Sequence, residues 1–147
     1  MSDLMIVPFH PSDQDDAKTL ILAGLEEHWG RLDPALNPDL NNIAASYAGE
    51  VFLVARLAGV LVGTGALIRE RAHVGRVVRM SVAQAERRTG IASRLLQSLT
   101  AQARLRGYTT LVLETTTTWD DARAFYVRHG FRRTHDADGD THFVKTV

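Results

Sequence analysis

The order of periodic segments in this sequence predicts a mixed-sheet α/β domain. Three observations carry that prediction. An apolar, β-branched run occupies residues 51–68 and is interrupted by a turn signal, "RLAG". A strong 3.6-residue stripe follows a glycine at residue 90. Strand and helix patterns then alternate to the end of the chain. At 147 residues the chain reads as one domain spanning 1–147. A chain of this size buries roughly 68–70% of its unfolded surface, enough for a core without staples. It contains no cysteine, so it has neither disulfides nor thiolate metal sites. That composition fits a reducing cytoplasm, the expected location.

Each element has a local reason. "LMIVPF" reads as a first strand, and Asp13, with Asp16 reaching back, is expected to cap the first helix as an acidic capping box. Ala17, Leu20, Ile21, Gly24, Leu25 and His28 form that helix's apolar stripe. Pro34, Asn37 and Pro38 mark a loop before a short helix at about 40–47. The run at 51–68 is long enough to suggest a membrane span, but Arg56, three glycines and the turn make it a hairpin of two buried strands. "GRVVRMSVA" is the next strand. The longest helix begins at Gly90, buries Ile91, Ala92, Leu95, Leu96, Leu99 and Ala103, and ends at Gly107. "TTLVLETT" reads as a strand covered on both faces. "DDARAFYVRHG" is a helix with stripe Ala122, Phe125, Tyr126 and His129, for which Thr118 or Asp120 is the expected cap. Strands near 131–134 and 141–147 finish the chain.

Seventeen basic and seventeen acidic residues give zero net charge, so nothing general favours nucleic acid or an anionic membrane as partner. The charges are unevenly placed. Seven arginines between residues 76 and 106 face one glutamate, Glu86, while the chain before residue 51 leans acidic. A basic strip inside a neutral protein suits a small anionic ligand. The strip centres on "AERRTGIASRLL". The first turn of a helix has unpaired N–H groups and the positive end of the macrodipole. Gly90 has no Cβ to obstruct an approaching oxygen, and Arg87 and Arg88 stand beside it, so the turn is a candidate phosphate site. A solvated helix start is the plain alternative. Neither a Walker loop nor a dinucleotide glycine fingerprint is present. The histidines show no metal-ligand spacing, and no metal is expected.

"RRTGIA" resembles the R/Q-x-x-G-x-G/A motif of the GCN5-related N-acetyltransferases. The likeness spans nearly the whole chain, since "LAGVLVG", "MSVAQAERRTGIASRLL" and "ARAFYVRHGF" follow in the family's order. It implies a mixed, mostly antiparallel sheet of about seven strands with about four helices, splayed between the fourth and fifth strands. It further implies acetyl-CoA as cosubstrate, with Arg87, Arg88, Gly90, Ile91, Ala92 and Ser93 at the pyrophosphate. Backbone groups of Met80 and Val82 would then pair with the pantetheine arm. The implied activity is transfer of an acetyl group to a primary amine in a ternary complex, there being no cysteine to carry an acyl-enzyme. A non-catalytic acyl-CoA-binding module of the same fold is the alternative.

Acyl transfer to an amine needs a neutral nucleophile and a proton for the departing thiolate. A lysine-like amine has an ordinary pKa of about 10.4, so a base or a desolvating pocket must remove its proton. Tyr126 matches the family tyrosine whose hydroxyl faces the CoA sulfur, although its stripe position also suits a core residue. Glu114 ends an apolar strand. It matches the water-mediated base of ribosomal-protein N-terminal alanine acetyltransferases, but it also suits a simple arginine pair. Trp119 departs from the asparagine common in the family. In this fold the first two helices build the acceptor wall, which here offers Glu26, His28, Trp29 and Tyr47. His28 could line a pocket or sit in the core. The family often forms homodimers, though no patch in the sequence identifies a dimer face.

Overall fold

A computed structural model describes residues 3–30, 33 and 36–147. Pro34, one of the expected loop markers, lies outside them. Seven strands form one sheet in the order β1-β2-β3-β4-β5-β7-β6. They are β1 (Leu4–Pro8), β2 (Val51–Leu57), β3 (Val60–Arg71), β4 (Val74–Val82), β5 (Thr110–Thr116), β6 (Arg132–Ala137) and β7 (Asp140–Thr146). The helices are α1 (Gln14–Trp29), the single turn α2 (Ile43–Ser46), α3 (Ile91–Leu105) and α4 (Asp120–Arg128). The mixed, mostly antiparallel architecture is the expected one.

The apolar run at 51–68 is a hairpin. Ala58 and Gly59 both adopt positive φ, 51° and 85°, the geometry of a two-residue turn that matches strand twist. No described helix is long and apolar enough to cross a membrane. The sheet separates two cores. α3 lays Ile91, Leu95, Leu96, Leu99 and Ala103 on one face, with Leu111, Leu113, Tyr126, Phe131 and Phe143. α1 contributes Ala17 and Ile21 to the other face, with Leu40, Ile43, Phe52, Val54 and Ala66. Each fully buried leucine there contributes about 1.5–3 kcal/mol.

Three local expectations need correction. Asp13 makes no side-chain cap to α1. It closes a capping box with His10 around a 3-10 turn at Pro11–Asp13, and its buried carboxylate pairs with Arg56. Neither Thr118 nor Asp120 caps α4, whose N-cap is Trp119 without a side-chain bond; Asp120 pairs with Arg123 instead. β5 is covered on one face only. Leu111, Leu113 and Thr115 are buried, whereas Glu114 between them is exposed, because α1 packs over β3 and β4 and leaves this half of the sheet uncovered.

Candidate active site

The site is set by how little holds the two halves of the sheet together. β4 and β5 are parallel and pair only at Val74–Thr110, Gly75–Leu111 and Arg76–Val112. Beyond Arg76 the strands diverge, and residues 77–82 of β4 expose a backbone edge with no ladder partner among the described residues. That edge contains Met80 and Val82.

β4 is also kinked. Its pairing with β3 passes from Ala66–Val78 to Thr64–Ser81, so Arg79 and Met80 together oppose Gly65. Such a bulge bends the strand and increases its twist. Arg79 sits in the left-handed region at φ 56°. Two contacts hold it there. The buried Thr64 hydroxyl donates to the Arg79 carbonyl at 2.8 Å, and the Arg79 guanidinium donates to both oxygens of Asp39 at 2.6 and 3.0 Å. Tyr47 donates to the same carboxylate at 2.6 Å. Gly65 leaves room opposite the bulge, since a Cβ there would lie 2.7 Å from the Met80 sulfur and make that side chain move. Burial opposes the charge on Asp39, but the hydrogen bonds from Arg79 and Tyr47 outweigh it and hold the carboxyl below its ordinary value. Burial first, and then the Asp39 carboxylate, push the Tyr47 phenol up to about 12.

At the end of β4 a 3-10 turn, Gln84–Glu86, leads into α3. Arg88 at φ 66° and Gly90 at φ 87° reverse the chain, and Gly90 begins the helix with no side-chain cap. A Cβ added at Gly90 would meet nothing within 4 Å, and no side chain caps the first-turn N–H groups of the helix. The two neighbouring arginines differ. Arg87 pairs with Glu27 of α1 and donates to the Val82 carbonyl, while Arg88 is exposed and has no side-chain partner among the described residues. Ser93, in the same first turn, lies 2.8 Å from His129.

The other wall comes from β5 and α4. The Tyr126 ring is buried against Phe125, Phe131 and Phe143 at centroid distances of 5.1, 5.7 and 6.2 Å. Its hydroxyl has no hydrogen-bond partner among the described residues, and burial alone pushes the phenol far above its ordinary value. Glu114 approaches from the opposite face of β5, alternating with the buried Leu113 and Thr115. It pairs with Arg76, which also binds Glu70 through two hydrogen bonds of 2.9 and 3.1 Å. Tyr126 and Glu114 therefore flank β5 rather than touch.

The four acceptor-side candidates do not converge. Glu26 lines a cleft of about 430 Å³ with Leu20, Ala23, Val82, Gln84 and Arg87. His28 is exposed, not in the core, and its ring lies tilted against Trp119 at 4.2 Å; Trp29 meets the same indole at 5.7 Å. These rings link the end of α1 to the start of α4. Tyr47 stands apart, in the Asp39–Arg79 cluster. Arg79 counts in the basic strip and Asp39 lies in the acceptor-side segment, but their pairing and the part played by Thr64 had no signal in the sequence. Trp119 carried a signal, as an aromatic where the family favours asparagine. Among the described residues no group of three or more His, Asp or Glu is placed to hold a metal.

Comparison with known proteins identifies the family and the fold. The family model for the acetyltransferase (GNAT) family matches residues 15–131. An IAA acetyltransferase of Azospirillum brasilense is 34% identical over 122 residues, covering 82% of this chain and 80% of that protein. The crystal structure of a GNAT-family acetyltransferase from Staphylococcus aureus Mu50 superposes with a TM-score of 0.89 at 22% identity, covering 97% of this chain and 98% of that one. The PaiA N-acetyltransferase of Thermoplasma acidophilum, crystallised with coenzyme A, superposes at 0.86 with 16% identity over 99% of each chain. The match over residues 15–131, together with the relative covered to four fifths, places this chain in the acetyltransferase (GNAT) family.

Proposed function

We propose that the chain is a cytoplasmic N-acetyltransferase that moves an acetyl group from acetyl-CoA to a primary amine by direct transfer. The observation that carries this reading is the fork itself, with an anion-ready turn on one arm and a neutral phenol buried in the other. The residues fit the cosubstrate. Arg88 and the backbone from Gly90 to Ser93, with Ile91 and Ala92 between, would hold the pyrophosphate. Arg87, tied to Glu27, braces the turn. Met80 and Val82 would pair with the pantetheine arm along the open edge of β4. When bound, acetyl-CoA supplies an acetyl group activated as a thioester.

The chain's own residues handle the protons. The Tyr126 hydroxyl, kept protonated by its apolar surroundings, donates to the departing sulfur. Glu114 takes the amine's proton through water, and the pair with Arg76 fixes where its carboxylate points. Because the two groups flank β5, the acceptor enters from the face that α1 shares and the cosubstrate from the face of α3 and α4. Glu26 suits a cationic amine, and the rings of His28, Trp29 and Trp119 offer it flat apolar surface. Tyr47 acts at a distance, through Asp39, on the bulge.

The test is calorimetric titration with acetyl-CoA, with ATP as control, followed by an amine panel read by thiol release. Binding of acetyl-CoA alone with amine-dependent release is expected. Absence of acetyl-CoA binding by folded protein would overturn the proposal. Binding without release for any amine would favour the non-catalytic module, a reading to which the Arg76 hold on Glu114 lends some support.

A further inference from the structure

Ser93 and His129 lie 36 residues apart in sequence and meet where α3 begins and α4 ends. Ser93 Oγ is 2.8 Å from His129 Nε2, and His129 Nδ1 is 2.8 Å from the Phe125 carbonyl oxygen. A carbonyl oxygen accepts and cannot donate, so Nδ1 carries a hydrogen. In the neutral ring Nε2 is then an acceptor, and the Ser93 hydroxyl donates to it. A hydroxyl has one hydrogen. While that hydrogen is directed at His129, the Ser93 hydroxyl presents only lone pairs to anything else at the first turn of α3. A phosphate oxygen arriving there brings only lone pairs of its own.

Protonation of Nε2 reverses the bond. The imidazolium donates to Ser93 Oγ, and the serine hydrogen is released to point at the anion, with a positive charge behind it. Few other groups interfere. On α4 the Phe125 ring lies 4.3 Å from the imidazole, and Arg128 is an exposed neighbour in the chain. From β7, Lys145 donates to the His129 carbonyl at 2.7 Å. No carboxylate is paired with the ring among the described residues, so the counter-charge for an imidazolium is the one an anionic ligand brings.

We infer that His129 is a positioning residue for the cosubstrate: binding of the pyrophosphate at the start of α3 takes up a proton from solvent at His129 Nε2 and turns the Ser93 hydroxyl into a donor. This deepens the proposed function and rests on its assignment of the turn at Gly90.

The experiment is calorimetry of the full chain with acetyl-CoA at fixed pH, in buffers of different ionisation enthalpy, repeated between pH 6 and 8. The slope against buffer enthalpy counts protons taken up. His129→Gln is the informative variant, because its amide donates to Ser93 without titrating, and it controls for protons taken up by the ligand's own phosphates. Wild type is expected to take up more protons on binding than His129→Gln. Its affinity should fall up to about tenfold per pH unit relative to the variant. Ser93→Ala, which removes the relay and leaves the ring, is expected to bind more weakly with a shallower pH slope. Equal proton uptake by wild type and His129→Gln would overturn the inference while leaving the cosubstrate assignment intact. Failure of folded wild type to bind acetyl-CoA would remove both.

Discussion

The two arms that diverge from the β4–β5 ladder are built from different materials. The β4 arm is held by charge: Arg79 and Tyr47 on Asp39, and Arg87 on Glu27. The β5 arm is held by rings, with Tyr126 enclosed by Phe125, Phe131 and Phe143. The difference matches the two tasks that the proposed function assigns to the arms. Aligning an anionic cosubstrate calls for fixed backbone donors and positive charge. Keeping a phenol protonated until a thiolate departs calls for an environment that penalises the phenolate.

The most damaging way to test the contrast is to remove the one polar atom of the apolar arm. Tyr126→Phe keeps the ring and its packing, so the melting temperature should barely move while turnover falls ~10²–10⁴-fold, the usual value of general acid catalysis. Full turnover in steady-state kinetics would strip Tyr126 of its role. Next is the glycine of the charged arm. Gly90→Ala meets no steric obstacle, yet it places a Cβ on a left-handed backbone. The expected cost is about 1–2 kcal/mol of stability in urea denaturation, together with weaker acetyl-CoA binding.

Asp39→Asn tests whether charge holds the bulge. Loss of the charge-assisted bonds from Arg79 and Tyr47 should cost about 1–2 kcal/mol near neutral pH. The sign of the pH effect follows from the lowered Asp39 value. Its contribution is present above the ordinary 3.8 and is lost as pH falls through the lower folded value. The variant's stability curve should therefore be the flatter one in acid. The raised Tyr47 phenol acts at the other end, stabilising below its ordinary 10.0 and ceasing to do so as pH rises toward about 12.

The smallest effect is expected where the arms touch. The chain has two tryptophans, Trp29 and Trp119, and both belong to the bridge, so intrinsic fluorescence reports on it alone. Amine acceptors should perturb that emission. Trp119→Ala should forfeit about 1 kcal/mol of ring contact, roughly fivefold in acceptor KM, with kcat little changed. An unchanged KM would separate the bridge from the acceptor.

Much of the frame was legible in the sequence, for local reasons. A glycine ahead of an apolar stripe marked the turn at Gly90, and the stripe of α4 marked the burial of Tyr126. What escaped was long-range. Asp39 meets Arg79 across 40 residues, and only because a bulge turns the arginine. Nothing near Arg79 announces that bulge, since the glycine that permits it lies on the facing strand. Asp13 had every local attribute of a helix cap, yet an ion pair with Arg56, 43 residues away, claimed it. The exposure of Glu114 depended on which strands α1 covers, a tertiary choice that a strand's own composition does not encode.

The three-pair ladder between β4 and β5 also governs how such a chain can diversify. A seam that short transmits little strain, and substitutions that are well separated and share no partners combine nearly additively. Under the proposed function, changes along residues 20–27, short of the rings that reach Trp119, would reshape the surface offered to an amine while Tyr126 keeps its ring partners Phe125, Phe131 and Phe143. A chain with the proposed activity would thus trade one acceptor for another with its chemistry intact, so long as the seam and the glycine turn survive.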